Sequence, residues 1–365
     1  MMRYRFLGLV GSLLLGLTAA VALPAPAMAA PPDTWAFAYV DDPLVPPFTA
    51  LDPAYYASFP VATTATGGRV GVGRFQVRWK AIGYSRLGNV HVTAVGQRGR
   101  YCEIASWGAS AGDEVVNVAC FAPGGVPDDS PFTVLWTLNF TTTPGAPDSF
   151  ASVQHSVATG VVQSYNSTGA GVTTTPLGTG VTAVRFEKVG VGHSLITGNV
   201  QVTALNRRLD PRWCKVAGWD DSGTDIIVIV YCFDRGGVFT DTDFTASYHR
   251  ERAVVSTLPP KYFGYVWSVL PLPPNAFQTN FNYPAGGFGT NAVTVSGPDI
   301  EVVFPQTVLD ESHVQATAYG NDPNYCTLSR IWTAVGPDYV VDVNCFDPAG
   351  NPARDDAFVT LTNQH

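Results

Sequence analysis

The chain has 365 residues, 46% of them hydrophobic and 14% charged, with 36 glycines and 28 prolines. That is too apolar for a disordered chain and too rich in helix breakers for a mainly helical one. A formal net charge of −8 without basic runs argues against nucleic acid and anionic membrane surfaces as partners, since phosphate neutralisation supplies most of that affinity.

Residues 1–29 read as a secretory signal peptide. Arg3 and Arg5 precede the apolar stretch "FLGLVGSLLLGLTAAVAL", and Ala27-Met28-Ala29 offers a small-residue cleavage site. No later run is long and apolar enough to span a bilayer as a helix. The expectation is a secreted chain with no membrane association after cleavage.

From about residue 35 the same pattern occurs three times. "GNVHVTAV" (88–95), "GNVQVTAL" (198–205) and "SHVQATAY" (312–319) are alternating, β-branched strands. "FAYV" at 37–40 aligns with "FASV" at 150–153 and "FGYV" at 263–266. "CFA" at 120–122 aligns with "CFD" at 232–234 and 345–347. The units run over 35–138, 148–250 and 261–365, joined by "NFTTTPGAPD" and "ERAVVSTLPP". A period near 112 residues is too long for a solenoid, and it suits a small domain. Each unit carries roughly seven strand patterns, the expectation for an antiparallel, Ig-like or jelly-roll-like β-sandwich. The fold class is therefore all-β, with three sandwiches in tandem. Separate beads and one body with pseudo-threefold symmetry both fit.

The cysteines place themselves within this pattern. The midpoints of Cys102 and Cys120, of Cys214 and Cys232, and of Cys326 and Cys345 all fall in glycine-containing turns. Each pair thus faces across a hairpin within disulfide reach, and six cysteines leave none over. Trp107 and Trp219 lie five residues after Cys102 and Cys214, which places them on the opposite sheet face. In unit two this leaves both faces of the hairpin apolar, with Val216, Val228 and Val230 on one and Trp219, Ile227 and Ile229 on the other. Such a strand is expected to be covered on both sides. Unit three has one extra residue before Trp332, read as a bulge.

Motifs that would carry catalysis are thin. "GASAG" (108–112) matches G-x-S-x-G with Ser110, but it occupies a hairpin turn with no helix after it. The six histidines show no metal-ligand or triad spacing. Asp113, Asp225 and Asp338 leave the hairpin turns, and Asp129, Asp241 and Asp355 precede the last strands. The two sets are separated by a strand of roughly 20 Å, too far for a carboxylate pair, and turn capping accounts for them. A calcium site at "DDSGTD" or "DTD" lacks a full ligand pattern. No cofactor, metal or catalytic residue is assigned.

"QSYNSTG" (163–169) and "QTNFNYPAGG" (278–287) alternate amides, hydroxyls and aromatics, a composition suited to sugar faces or peptide grooves. Tyr165, Asn166, Asn280, Phe281, Asn282 and Tyr283 are the candidate ligand-binding residues. The combination of "GNVxVTA", "YC" or "WC" followed by Trp, and "CFDxxG" ahead of "D-x-x-F" is similar to a repeat of secreted, uncharacterised actinobacterial proteins. The resemblance covers the chain after the leader and implies no activity or catalytic residue. Unit one departs with Ala122, and unit three with Ser312-His313. The expected role is non-enzymatic binding or a structural part at the cell surface or on an extracellular polymer. Polysaccharide, cell wall or a secreted protein would be the partner. A hydrolase with a site in one unit only and a secreted protease inhibitor are the alternatives.

Overall fold

The computed structural model describes residues 33–84, 87–139, 149–192, 195–255, 262–276, 278–309 and 311–363. The leader at 1–29 lies outside the described residues, as do His193, His365, most of the first joint and half of the second. The described elements are strands and two short 3-10 turns, in an all-β fold.

Each unit is a sandwich of two four-stranded sheets. In unit one the inner sheet runs Tyr56–Phe59, Thr34–Val40, Phe132–Leu138, Asn89–Ala94. The outer sheet runs Ala65–Gly71, Arg74–Trp79, Asp113–Ala122, Tyr101–Ser110. The same order recurs in unit two. Its inner sheet is Gly160–Asn166, Ser149–Ser156, Asp243–Arg250, Asn199–Leu205, and its outer sheet is Val172–Gly178, Val181–Phe186, Asp225–Asp234, Arg212–Ser222. In unit three the inner sheet is Asn280–Tyr283, Phe263–Trp267, Asp356–Asn363, Ser312–Tyr319. The outer sheet is Ala292–Ser296, Asp299–Phe304 and Asp338–Phe346, edged by the short strands Tyr325–Leu328 and Thr333–Val335. Units one and two therefore have eight principal strands, and in unit three the eighth place is divided between two short strands. The amide-and-aromatic stretches supply the outermost of the four inner-sheet strands in units two and three.

Alternation fixes which side faces which layer. Phe75, Val77 and Trp79 turn into the sandwich of unit one, while Arg74, Gln76 and Arg78 turn outward. The inner strands are buried along their whole length, as in Asn89–Ala94 and Phe132–Leu138. Val90 and Val92 enter their own core, whereas Asn89, His91 and Thr93 reach the other units. A sheet buried on both faces needs a second layer, and here the other two units supply it.

The three units close into a ring. Leu205 of unit two pairs in parallel with Ile104 of unit one, Tyr319 of unit three with Val216 of unit two, and Val95 of unit one with Leu328 of unit three. The next amide in each case donates across the seam: Asn206 N to Ile104 O (2.8 Å), Gly320 N to Val216 O (3.0 Å) and Gly96 N to Leu328 O (2.7 Å). Three equivalent junctions in cyclic order give the body pseudo-threefold symmetry.

On the axis the aromatic rings of Tyr101, Trp213 and Tyr325 meet pairwise at 5.1, 5.1 and 5.2 Å. Tyr325 donates its hydroxyl to Gly99 O of unit one, and Trp213 donates Nε1–H to Pro323 O of unit three at 3.1 Å. The Tyr101 hydroxyl is buried with no partner.

The disulfides are Cys102–Cys120, Cys214–Cys232 and Cys326–Cys345, with Cα atoms 4.0–4.1 Å apart. All three stay within a unit. Three local expectations are corrected. A bulge between Ile104 and Ser106, and another between Val216 and Gly218, adds a residue to the first hairpin strand. This reverses the parity, so Trp107 and Trp219 enter the sandwich core on the side of their cysteines. Ile227 and Ile229 face outward and are half-buried, outside the core cluster that holds Val228 and Val230. In unit three the strand breaks between Leu328 and Thr333, rather than holding a single bulge.

Two strand alignments also shift. Ala94, Ala204 and Ala318 pair with Phe132, Phe244 and Ala357. Unit three is thus one residue out in its last strand. Trp35, not Phe37, occupies the place of Phe150 and Phe263, because each pairs with the residue opposite Asn89, Asn199 or His313.

The axial aromatics give a test. Tyr325→Phe is expected to cost about 1 kcal/mol by stranding Gly99 O, whereas Tyr101→Phe should be neutral or stabilising. Chemical denaturation of the two variants checks this.

Candidate functional site

Equivalent positions separate into those that build the ring and those that face solvent. Val92 N donates to Thr203 Oγ1 (3.3 Å), Val202 N to Thr317 Oγ1 (3.1 Å) and Ala316 N to Thr93 Oγ1 (3.1 Å). Each threonine in turn meets the side chain at the His91 position: Thr203 with His91 Nδ1 (3.3 Å), Thr317 with Gln201 Oε1 (2.9 Å), Thr93 with Gln315 Oε1 (2.5 Å). A further layer joins Asn89 to His91, Asn199 to Gln201 and His313 to Gln315.

His91, His249 and His313 are all fully buried in the inner sheets, although nothing in their spacing predicts it. Burial pushes each imidazole down to about 3, so they are neutral hydrogen-bonding groups. Among the described residues, no group of three or more His, Cys, Asp or Glu is placed to hold a metal ion. His155 is buried against Phe244.

The recurring acids bind turns. Asp113 Oδ1 accepts Ala81 N, Asp225 Oδ1 accepts Lys188 N and Asp338 Oδ1 accepts Gln306 N, at 2.8–2.9 Å. All three donors have positive φ, between 58° and 61°, a left-handed kink that the carboxylate stabilises. Asp129 and Asp241 accept Gly73 N and Gly180 N in the same way. Asp355 does not, because the strand offset carries it elsewhere. The hairpin position whose carbonyl receives Cys345 N is Pro298, where Gly73 and Gly180 serve Cys120 and Cys232; proline has no N–H to offer. Ser110 lies at an exposed hairpin tip opposite Asp113.

The six candidate ligand residues fall in equivalent strands of two different sheets. Asn166 is buried and donates to Gly171 O and Glu187 O, holding its own turn. Asn282 is fully buried and bonded to Asn291 and Pro305 O, while Asn280 is held by Asn291. Phe281 is 9% exposed and stacks with Phe263 and Tyr265. Tyr165 is half-buried and lines a cleft of about 110 Å³ with Gly88, Asn89 and Gln163. Tyr283 is 52% exposed and stacks on Phe263. Tyr283 alone of the six is exposed.

A larger concavity, about 400 Å³, lies on the outer sheet of unit three and reaches Gln97 of unit one. Cross-strand register lines up Thr294, Glu301 and Asp342 in one row, and Ser296, Asp299 and Asn344 in the next. Arg330 Nε pairs with Asp342 Oδ2 at 2.5 Å, and Asn344 donates to Asp299. The row equivalent to Glu301 and Asp342 is Gln76 and Asn117 in unit one, joined at 3.1 Å with Ser106 beyond. In unit two it is Ala183 and Ile229. Three equivalent faces are thus amide-lined, apolar and acidic. The signal was available in the strands "FQVRW", "TAVRF" and "IEVVF", whose outward residues differ, but the register was needed to pair them.

Buried groups set the pH response. The three histidines titrate near 6.5 when unfolded and about 3 when folded. Their contribution is present above 6.5 and is lost as pH falls towards 3. Glu114, fully buried with Oε2 accepting Tyr84 N at 3.1 Å, is pushed up to about 8, mainly by desolvation. Burial likewise raises Glu103. The contribution of Glu114 is complete below the unfolded value of 4.5 and is lost as pH rises through about 8; that of Glu103 is likewise lost on the alkaline side. The melting temperature should therefore peak near neutrality and fall on both sides. His91→Gln, the residue type at Gln201 and Gln315, should flatten the acid limb, and Glu114→Gln the alkaline one; melting curves across pH check both. Compared with the profiles of known protein families, with curated proteins and with solved structures, the chain matches none.

Proposed function

We propose that the protein is a secreted, non-enzymatic binding protein that engages an extracellular polymer or a cell-surface component through its outer sheet faces, the groove of unit three foremost. The observation that carries this reading is the contrast between equivalent positions. Near the axis they go to ring closure in all three units. On the outer sheets they diverge into Gln76 and Asn117, Ala183 and Ile229, Glu301 and Asp342. A scaffold repeated for rigidity with unlike faces suits recognition. Rows of hydroxyls, amides and carboxylates suit a ligand rich in hydroxyl or amino groups. Export is supported by the leader-like segment at 1–29, by the three disulfides with no free cysteine among the described residues, and by the absence there of a helix long and apolar enough to cross a membrane.

A second reading rests on one feature of the same groove. Glu301 and Asp342 face each other as register partners, and facing antiparallel residues lie about 4.5–5.5 Å apart at Cα. Two carboxyl groups flanking one groove are the equipment of a glycosidase. Only unit three has the pair.

Retention of residues 30–365 on chitin, cellulose and isolated bacterial cell walls tests both readings. Binding should weaken roughly tenfold, or about 1.4 kcal/mol, in Glu301→Ala/Asp342→Ala, and should survive Ile229→Ser. Tyr165→Ala and Tyr283→Ala test the aromatic positions in the same assay. Retention on none of the polymers would remove the binding reading. Release of soluble sugar by the native chain but not by Glu301→Gln would establish the second.

A further inference from the structure

The residue after the first cysteine points across the seam in every unit. Glu103 Oε2 accepts Arg212 N at 3.0 Å, and Thr327 Oγ1 donates to Gly96 O at 3.3 Å. The third member, Lys215, reaches from unit two into unit three. It is fully buried, with Nζ 2.9 Å from Asp322 Oδ1 and in direct contact with Asp355 Oδ2. The Asp355 side chain is 4% exposed, and that of Asp322 48%. The one-residue offset of the last strand in unit three places Asp355 where units one and two have Ser130 and Thr242. Gly320 closes the site, since a Cβ there would lie 2.6 Å from Asp355 Oδ1 and 3.5 Å from Lys215 Nζ. The chain has four lysines, at 80, 188, 215 and 261. Among the three described, Lys215 alone is buried.

We propose that Lys215 and Asp355 condense into an isopeptide bond, with Asp322 as the proton carrier, so that units two and three become covalently joined. A desolvated ammonium–carboxylate pair gains by passing its proton across, leaving an amine and a carboxylic acid. Burial foremost raises Asp355 to about 7, against the opposing pull of Lys215. The neutral Nζ attacks Cγ of Asp355. The new N–C bond forms as the C–OH bond breaks, and one N–H proton leaves through Asp322 to join the departing hydroxyl as water. Atoms balance with no oxidant, reductant or further reactant. Holding nucleophile and carbonyl together supplies the effective concentration, on the order of 10⁵ M or more in well-oriented cases. Asp322 stands within the reach required of a general acid or base, and its exposed side gives the water a way out.

The reaction leaves a mass signature independent of where the leader is cut. After reduction and denaturation, the full chain should be lighter by one water than Lys215→Arg, once the Lys-to-Arg difference is subtracted. Trypsin cannot cleave after an acylated lysine, so digestion should release a branched peptide joining residues 213–235 to 355–365. Asp322→Asn should leave a larger unreacted fraction. A native chain at full mass, yielding a free peptide ending at Lys215, overturns the proposal, and so does a water deficit that persists in Lys215→Arg. The branched peptide is read from the native chain alone, so the test stands even where a variant folds poorly.

Discussion

The structure depends on how the three central strands meet at the axis. Asn89–Ala94, Asn199–Leu205 and Ser312–Tyr319 each have one edge paired within their own sheet and the other facing the next unit. An unpaired amide buried there would cost as much as a lost hydrogen bond. The chain answers with one parallel bridge per seam and one threonine hydroxyl per strand, each offered to the unit before it. Because each unit receives from the next what it gives to the previous one, the arrangement satisfies every strand only when the circle is complete. The buried inner sheets, the aromatic contact of Tyr101, Trp213 and Tyr325, and the outward position of the other sheets follow from that closure.

Much of the fold can be read from the residues. The midpoints of the cysteine pairs locate the hairpins, and alternation in "FQVRW" and "VHVTAV" identifies strands and their buried faces. Errors arise where one residue changes the parity. The bulges at Ala105 and Ala217 turn Trp107 and Trp219 to the other side. A one-residue offset in the last strand of unit three removes Asp355 from the set with Asp129 and Asp241. Ring closure is not legible, because a single parallel hydrogen bond and a threonine leave no periodic trace. The polar side chains at Asn89, His91 and Thr93 look like a solvent face, yet they lie at the centre of the molecule.

The candidate surfaces show the same limit. Asn166, Asn280 and Asn282 spend their amides on turns and on Asn291, so an amide-rich stretch is here largely self-satisfied. The groove of unit three depends on cross-strand register, which brings Glu301 beside Asp342 from positions far apart in sequence. Burial also decides the ionic character of the interior. The same desolvation that pushes the imidazoles of His91, His249 and His313 down pushes the carboxyls of Glu103 and Glu114 up, so burial disfavours the charged form of each.

The three seams are alike in backbone and unlike in side chain: a carboxyl at Glu103, an amine at Lys215, a hydroxyl at Thr327. Each is answered by a different neighbour, so a unit fits only beside its own successor. A ring of three copies of unit two would set every Lys215 against Asp210 and Thr242, without the carboxyl of Asp355. One built from unit one would bury three acids. The order of the segments along the polypeptide is thus written into the contacts as well as into the connections. Reversing the cyclic order of the segments would set each of these side chains against the wrong neighbour.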